Sequence, residues 1–169
     1  MRIFGLCGWS GSGKTTLMAA IVPELIARGI TVSTVKHAHH AFDLDQPGKD
    51  SWRHREAGAR EVMIASGRRW ALQHELRGDP EPPLDELVAK ITPVDLLLVE
   101  GFKFHSHPKI EVYRPLLGKL VRYPEDPFVV AVASDDWLPR VPLPCLPLSD
   151  PATVASFILG HDGRPRWSR

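Results

Sequence analysis

The sequence predicts an α/β fold: a doubly wound, mostly parallel sheet with helices on both faces. Three observations carry that reading. β-like apolar runs alternate with helical stretches, a glycine-rich loop joins the first run to the first helix, and neither an internal repeat nor a second-domain linker interrupts the pattern. With 169 residues, 43% of them hydrophobic and 24% charged, the chain can bury a full core without disulfides. The same composition excludes disordered, collagenous and coiled-coil classes. A formal net charge of +1 provides no field for holding nucleic acid or a membrane surface, so any anionic ligand must be bound locally. The longest apolar stretches, such as 128–133, fall far short of the roughly 18 residues of a membrane span, and the amino end does not read as a signal peptide. A cytoplasmic protein is expected. Cys7 and Cys145 lie too far apart to suggest a zinc finger or a disulfide framework.

The elements follow in order. Arg2 to Cys7 is a short apolar run ending at glycine, and Lys14 to Arg28 carries Leu17, Met18, Ile21, Leu25 and Ile26 at helical spacing before Gly29. Pro23 inside that helix predicts a kink or an early end near Val22. Thr31 to Val35 is β-branched and delivers Lys36 and His37 at its carboxyl end, completing a βαβ unit. His37 to Lys49 lacks periodicity and holds the turn signal Gln46-Pro47-Gly48, so it is a long loop of the kind that carries function. Asp50 is expected to cap a helix over Ser51 to Ala59. Glu61 to Ala65 and Arg69 to Glu75, parted by Ser66-Gly67-Arg68, resemble a hairpin. Leu84 to Ile91 reads as a short helix, and Asp95 to Val99 as a central buried strand ending at Glu100-Gly101. Ile110 to Tyr113 and Phe128 to Ala133 extend the sheet, prolines 139 to 147 mark an edge, and Pro151 to Leu159 is a terminal helix. Residues 161–169 are expected to fray.

Gly8-Trp9-Ser10-Gly11-Ser12-Gly13-Lys14-Thr15 satisfies G-x-x-x-x-G-K-[ST], after a strand and opening a helix. That context makes residues 1–160 a single nucleotide-binding domain of the P-loop NTPase class. The glycines let backbone N–H groups turn inward and cradle phosphate oxygens at the positive end of the helix. Gly8, Ser10, Gly11, Ser12, Gly13, Lys14, Thr15 and Thr16 are therefore the expected nucleotide-binding residues. Lys14 would bridge the β and γ phosphates, and the Thr15 hydroxyl would ligate Mg²⁺. Glu100 is the better second metal ligand than Asp95, because ligands meet the carboxyl ends of parallel strands. Asp43 or Asp45, in the long loop, could position a water, and Asp45 joins Lys14 as the expected catalytic pair.

His37, His39 and His40 follow the second strand and His105 and His107 follow Glu100, so both groups are expected at the edge of the sheet that bears the phosphate loop. Hydrogen bonding to an anionic substrate or partner accounts for them better than zinc does. Lys36, Arg53, Arg55 and neighbouring basic residues suit recognition of a second phosphorylated ligand or, equally, a solvated helix face. A chain without asparagine cannot carry the Asn-Lys-x-Asp signature that reads guanine. Asp135 or Asp136 could accept from the guanine N1 and N2 groups instead, though a turn explains them as well. No arginine finger is evident, so hydrolysis should be slow.

Taken together, the loop Gly8 to Thr16, the block from Lys36 to Gly58 containing His37-Ala38-His39-His40 and Pro47-Gly48-Lys49-Asp50-Ser51, Val99-Glu100-Gly101-Phe102-Lys103 and Pro108-Lys109-Ile110-Glu111 resemble the molybdopterin-guanine dinucleotide biosynthesis protein B (MobB) family. The resemblance runs to about Asp136. It implies a GTP-binding, Mg²⁺-dependent accessory protein of molybdenum cofactor biosynthesis, with weak GTPase activity. Such a protein forms a homodimer and assists the guanylyltransferase that attaches GMP to molybdopterin. Lys36, His37, His39, His40, Arg53 and His54 would face the pterin phosphate or that partner. Val99-Glu100-Gly101 also resembles the metal-binding strand of dethiobiotin synthetase, which leaves an ATP-dependent small-molecule ligase or kinase as the alternative. A purely structural P-loop domain is the remaining reading.

Overall fold

The structure, a computed structural model, describes residues 1–38, 42–136 and 138–165. His39, His40 and residues 166–169 of the expected frayed tail lie outside the described residues. In chain order the elements are β1 (Arg2–Cys7), α1 (Lys14–Ala27), β2 (Val32–Lys36), α2 (Asp50–Glu56), β3 (Glu61–Ala65), β4 (Trp70–His74), α3 (Leu84–Val88), β5 (Leu96–Glu100), β6 (Lys109–Val112), β7 (Val129–Ala133), β8 (Cys145–Leu146) and α4 (Pro151–Gly160). They divide into two compact units, 1–37 with 89–169, and 38–88.

The larger unit is a six-stranded sheet in the order β2-β5-β1-β6-β7-β8, parallel at every pairing. All five residues of β5 and of β7 are buried, as near-continuous apolar strands of a parallel sheet require. Phe4, Leu6, Leu98 and Ile110 from the strands share one core with Leu17, Ile21 and Leu25 of α1 and with Val154 and Ile158 of α4. The two helices also pack on each other. This is the helix-flanked α/β fold of the P-loop NTPases, with the glycine-rich loop between β1 and α1.

Asp95, at the amino end of β5, accepts hydrogen bonds from the Thr31 amide at 2.9 Å and the Thr31 hydroxyl at 2.6 Å. It thereby ties the start of β5 to the start of β2, at the sheet edge opposite Glu100.

Two local expectations are corrected. Helix α1 does not end near Val22 but runs through Pro23 to Ala27. Pro23 and Ala19, whose carbonyl loses its intrahelical donor to the proline, are both exposed, so water can satisfy that oxygen. Ile21 and Leu25, which are fully buried, hold the helix on the sheet from either side. Asp50 is not the cap of α2. Lys49 occupies that position without a side-chain bond, and Asp50 is the first helical residue, where its charge complements the helix dipole.

In the smaller unit, β3 and β4 pair antiparallel, Met63 opposite Leu72 and Ala65 opposite Trp70. Met63, Trp70 and Leu72 are exposed, and among the described residues of this unit only Val62 and Leu84 are buried. Polar ties do much of the ordering. Arg55 forms a two-pronged bond to Asp43, with Nη1 at 2.9 Å and Nη2 at 2.7 Å. Asp45 accepts from Ser51 Oγ at 2.7 Å and from Gln73 Nε2 at 3.2 Å.

Candidate functional site

The phosphate loop leaves β1 at the carboxyl edge of the sheet, flanked by the ends of β5 and β6. Gly8 opens it with φ +135°, and a Cβ there would stand 2.3 Å from the Val112 carbonyl oxygen. Only glycine fits that approach. Helix α1 then begins with neither a side-chain cap nor an acidic residue in its first turn. Its first N–H groups thus have no anionic side chain to satisfy them, the electrostatic condition for holding an external anion. The Ser12 hydroxyl is buried without a hydrogen-bond partner. Lys14 Nζ donates back to the Trp9 carbonyl at 2.8 Å. Burial lowers the Lys14 pKa, while the Glu100 carboxylate opposes that shift.

On the β5 side of the loop, Thr15 Oγ1 donates to Glu100 Oε1 at 2.7 Å. Glu100 is the last residue of β5 and is only 8% exposed. Lys36, the last residue of β2, points its ammonium at the same pair, 3.4 Å from Thr15 Oγ1 and 3.5 Å from Glu100 Oε1. A hydroxyl and a carboxylate converging at the head of a phosphate loop are hard oxygen donors of the kind Mg²⁺ takes, with phosphate and water completing its shell. The Lys36 ammonium shows that this spot already attracts positive charge.

The β6 side holds a residue that sequence reasoning missed. Arg114 follows β6, and its Nε donates to the Ser12 carbonyl at 3.1 Å. The signal was present: the residue just beyond the carboxyl end of a parallel strand is where ligand contacts collect. The segment after it also leans on the loop, since Trp9 Nε1 donates to the Leu120 carbonyl at 2.8 Å and the Lys119 ammonium lies 5.7 Å from the Trp9 ring. At the end of β7, Asp135 Oδ1 accepts from the Ser149 amide at 2.8 Å. That bond chiefly holds its carboxyl below the usual range.

The remaining expected residues fall in both units. His37 packs its ring against Phe102, centroids 4.7 Å apart, and its amide donates to the Glu100 carbonyl. Arg53 and His54 are exposed on α2 in the smaller unit. Asp45 belongs to that unit as well, with a side chain only 2% exposed and engaged by Ser51 and Gln73, which is the geometry of a loop tie. The histidines after Glu100 do not form a ligand surface as expected. His107 is 3% exposed, its Nδ1 lies 2.9 Å from His105 Nδ1, and its ring lies against Gly5, where an added Cβ would meet Nε2 at 2.3 Å. The reason is topological: residues 101–108 run back from the carboxyl end of β5 to the amino end of β6, carrying His107 under β1. Among the described residues no three His, Cys, Asp or Glu side chains gather as a metal-binding group, and no helix is long and apolar enough to cross a membrane.

Comparison with known proteins places this geometry in context. The profile of the family described as MobB, molybdopterin guanine dinucleotide synthesis protein B, matches residues 3–135. The chain is 47% identical over 137 residues to the molybdopterin-guanine dinucleotide biosynthesis adapter protein of Haemophilus influenzae, covering 79% of this chain and 74% of that protein. It is 40% identical over 163 residues to the protein of the same name from Escherichia coli, covering 93% and 91%. Among solved structures, a crystal structure of molybdopterin-guanine biosynthesis protein B superposes with a TM-score of 0.72 at 28% identity, over 93% of this chain and 97% of the other. A MobB homologue from Bacillus stearothermophilus gives 0.67 at 25% identity, over 94% and 96%.

Proposed function

This chain belongs to the MobB family, molybdopterin guanine dinucleotide synthesis protein B, and from that premise we propose that it serves as an adapter protein of molybdopterin guanine dinucleotide biosynthesis, binding GTP with Mg²⁺ at its phosphate loop. The observation that carries the nucleotide reading is the Thr15 to Glu100 hydrogen bond at the head of an uncapped helix that opens on Gly13-Lys14. Gly8, Ser10, Gly11, Ser12, Gly13, Lys14, Thr15 and Thr16 hold the phosphates, Lys14 as the point charge on them. Thr15 and Glu100 would hold Mg²⁺, which when bound would neutralise phosphate charge. Lys36 Nζ, 3.5 Å from Glu100 Oε1, adds positive charge beside that pair. Asp135, at the carboxyl end of β7, is the carboxylate offered to the base.

In this reading the protein is a weak GTPase. It works in the cytoplasm as a homodimer, beside the guanylyltransferase that attaches GMP to molybdopterin. Lys36 and His37 in the larger unit and Arg53 and His54 in the smaller are the described residues offered to that partner or to the pterin phosphate. His39 and His40 were expected to join them.

Calorimetric titration with GTP and with ATP, each with and without Mg²⁺, tests the reading, with Lys14→Ala as the control. The expected result is Mg²⁺-dependent GTP binding that Lys14→Ala weakens by at least about tenfold, the scale of one charge-assisted contact to phosphate. Preference for ATP would favour the ligase or kinase alternative, and binding that survives Lys14→Ala unchanged would leave the loop a structural one.

A further inference from the structure

Arg114 is a cation against the phosphate loop to which the nucleotide reading assigns no job. Its Nε is fixed on the Ser12 carbonyl. Its Nη2 lies 3.7 Å from where a Cβ on Gly13 would stand, so the guanidinium lies along the outer flank of the loop where Gly13 leaves room. Among the described residues, neither Nη group donates to a protein acceptor. A planar, permanently charged group with its donors uncommitted, exposed beside an anion cradle, is suited to a ligand.

The sheet order says which part of the ligand. β5 and β2 lie on one side of β1, and β6 and β7 on the other. The Thr15, Glu100 and Lys36 cluster, where a metal bridging the terminal phosphates would bind, belongs to the β5 side. A nucleotide whose terminal phosphates face that side leads its nucleoside away over the carboxyl ends of β6 and β7, and those ends present Arg114 and Asp135. The two are near enough for the Arg114 charge to help hold the Asp135 carboxyl down, behind the larger effect of the Ser149 amide. The sequence contains no asparagine, so an asparagine-based grip on the base is unavailable, whereas a guanidinium plane stacks on aromatic faces.

Resting on the nucleotide reading of the loop, we propose that Arg114 holds the nucleoside end of the bound nucleotide, its guanidinium stacked on the purine, and so sets affinity for nucleotide over bare polyphosphate.

Calorimetry on the wild-type chain, Arg114→Ala and Arg114→Lys, with Mg²⁺ and each of GTP, GDP and inorganic tripolyphosphate, tests this. Arg114→Ala should weaken GTP and GDP by the same factor, about tenfold, and leave tripolyphosphate within about twofold. Arg114→Lys, which keeps the charge and loses the plane, should fall between. An equal loss for tripolyphosphate would mean that Arg114 only braces the loop through Ser12, and a loss confined to GTP would put it on the terminal phosphate. Either result, or an unchanged Arg114→Ala, overturns the proposal while the nucleotide reading stands. A wild-type chain that binds none of the three ligands overturns both.

Discussion

At the scale of single residues, two contacts translate directly into measurable effects. Gly8 combines a positive φ with a Cβ position 2.3 Å from the Val112 carbonyl. Gly8→Ala must therefore shift the backbone of β6 or of the loop, a strain of about 1–3 kcal/mol. For a chain of this length that is about 2–4 °C in melting temperature per kcal/mol. Thermal melts of the variant should show the drop, and an unchanged melt would mean that the loop is not held against β6. His107 makes a pH prediction. Burial, with help from the Lys109 and His105 charges and against Asp126, pushes its imidazole down to about 3. In the unfolded chain an imidazole titrates near 6.5, so below that pH the unfolded state takes up a proton that the folded state refuses. Stability is unaffected by His107 above about pH 6.5 and falls as the pH drops from there towards 3, by at most about 1.4 kcal/mol per pH unit. Urea melts at pH 7.5 and 5 should show a smaller acid loss for His107→Gln than for the parent. Equal losses would place the acid-sensitive group elsewhere.

Among the elements, α1 joins phosphate chemistry to folding, since its first turn carries Lys14 and Thr15 and its buried stripe carries Leu17, Ile21 and Leu25. It tolerates Pro23 because the missing bond faces water. Pro23→Ala restores a donor to the Ala19 carbonyl and should stabilise the chain, by no more than about 3 kcal/mol. A denaturant midpoint that does not rise would mean that the helix has already relaxed around the proline. The second helix of the core, α4, is closed conventionally. Asp150 caps it by accepting from the Thr153 amide at 3.0 Å, and Pro151 in its first turn is harmless because an N–H there has no intrahelical acceptor. Strand β6 has a double role: Lys109 and Glu111 at its two ends of one face are almost fully buried. Lys109 Nζ bonds the Lys103 and His105 carbonyls and Asp126, while Glu111 accepts the Arg122 and Tyr123 amides. These buried polar groups fasten to β6 the loops on either side of it, including the segment that follows Arg114.

For the whole molecule, stability should be uneven. The larger unit is built on a sheet whose strands β5, β6 and β7 are wholly buried, whereas the smaller one has two buried residues among those described and relies on Arg55, Asp43 and Asp45. Amide hydrogen exchange should accordingly be slowest in β1, β5 and β7 and faster by orders of magnitude in β3 and β4. Uniform protection across both units would show that they open together.

Much was legible in the sequence because it is encoded locally. The phosphate loop, the strand before it and the helix after it lie within 27 residues, where glycine placement, apolar spacing and the lysine-threonine pair speak for themselves. The buried strand ending at Glu100 could be read from its unbroken apolar run, and its carboxyl end pointed to Glu100 over Asp95 by the rule of parallel sheets. Tertiary structure decided the rest. Which strand lies next to β1 set the company Thr15 keeps on one side and Arg114 on the other, and no local pattern states that order. The return path of residues 101–108 turned His107 from an expected surface ligand into a buried neutral side chain, and the fold of 38–88 made Asp45 a structural tie. In each case the sequence specified a side chain and its chemistry, while its neighbours were chosen by pairing between strands distant along the chain.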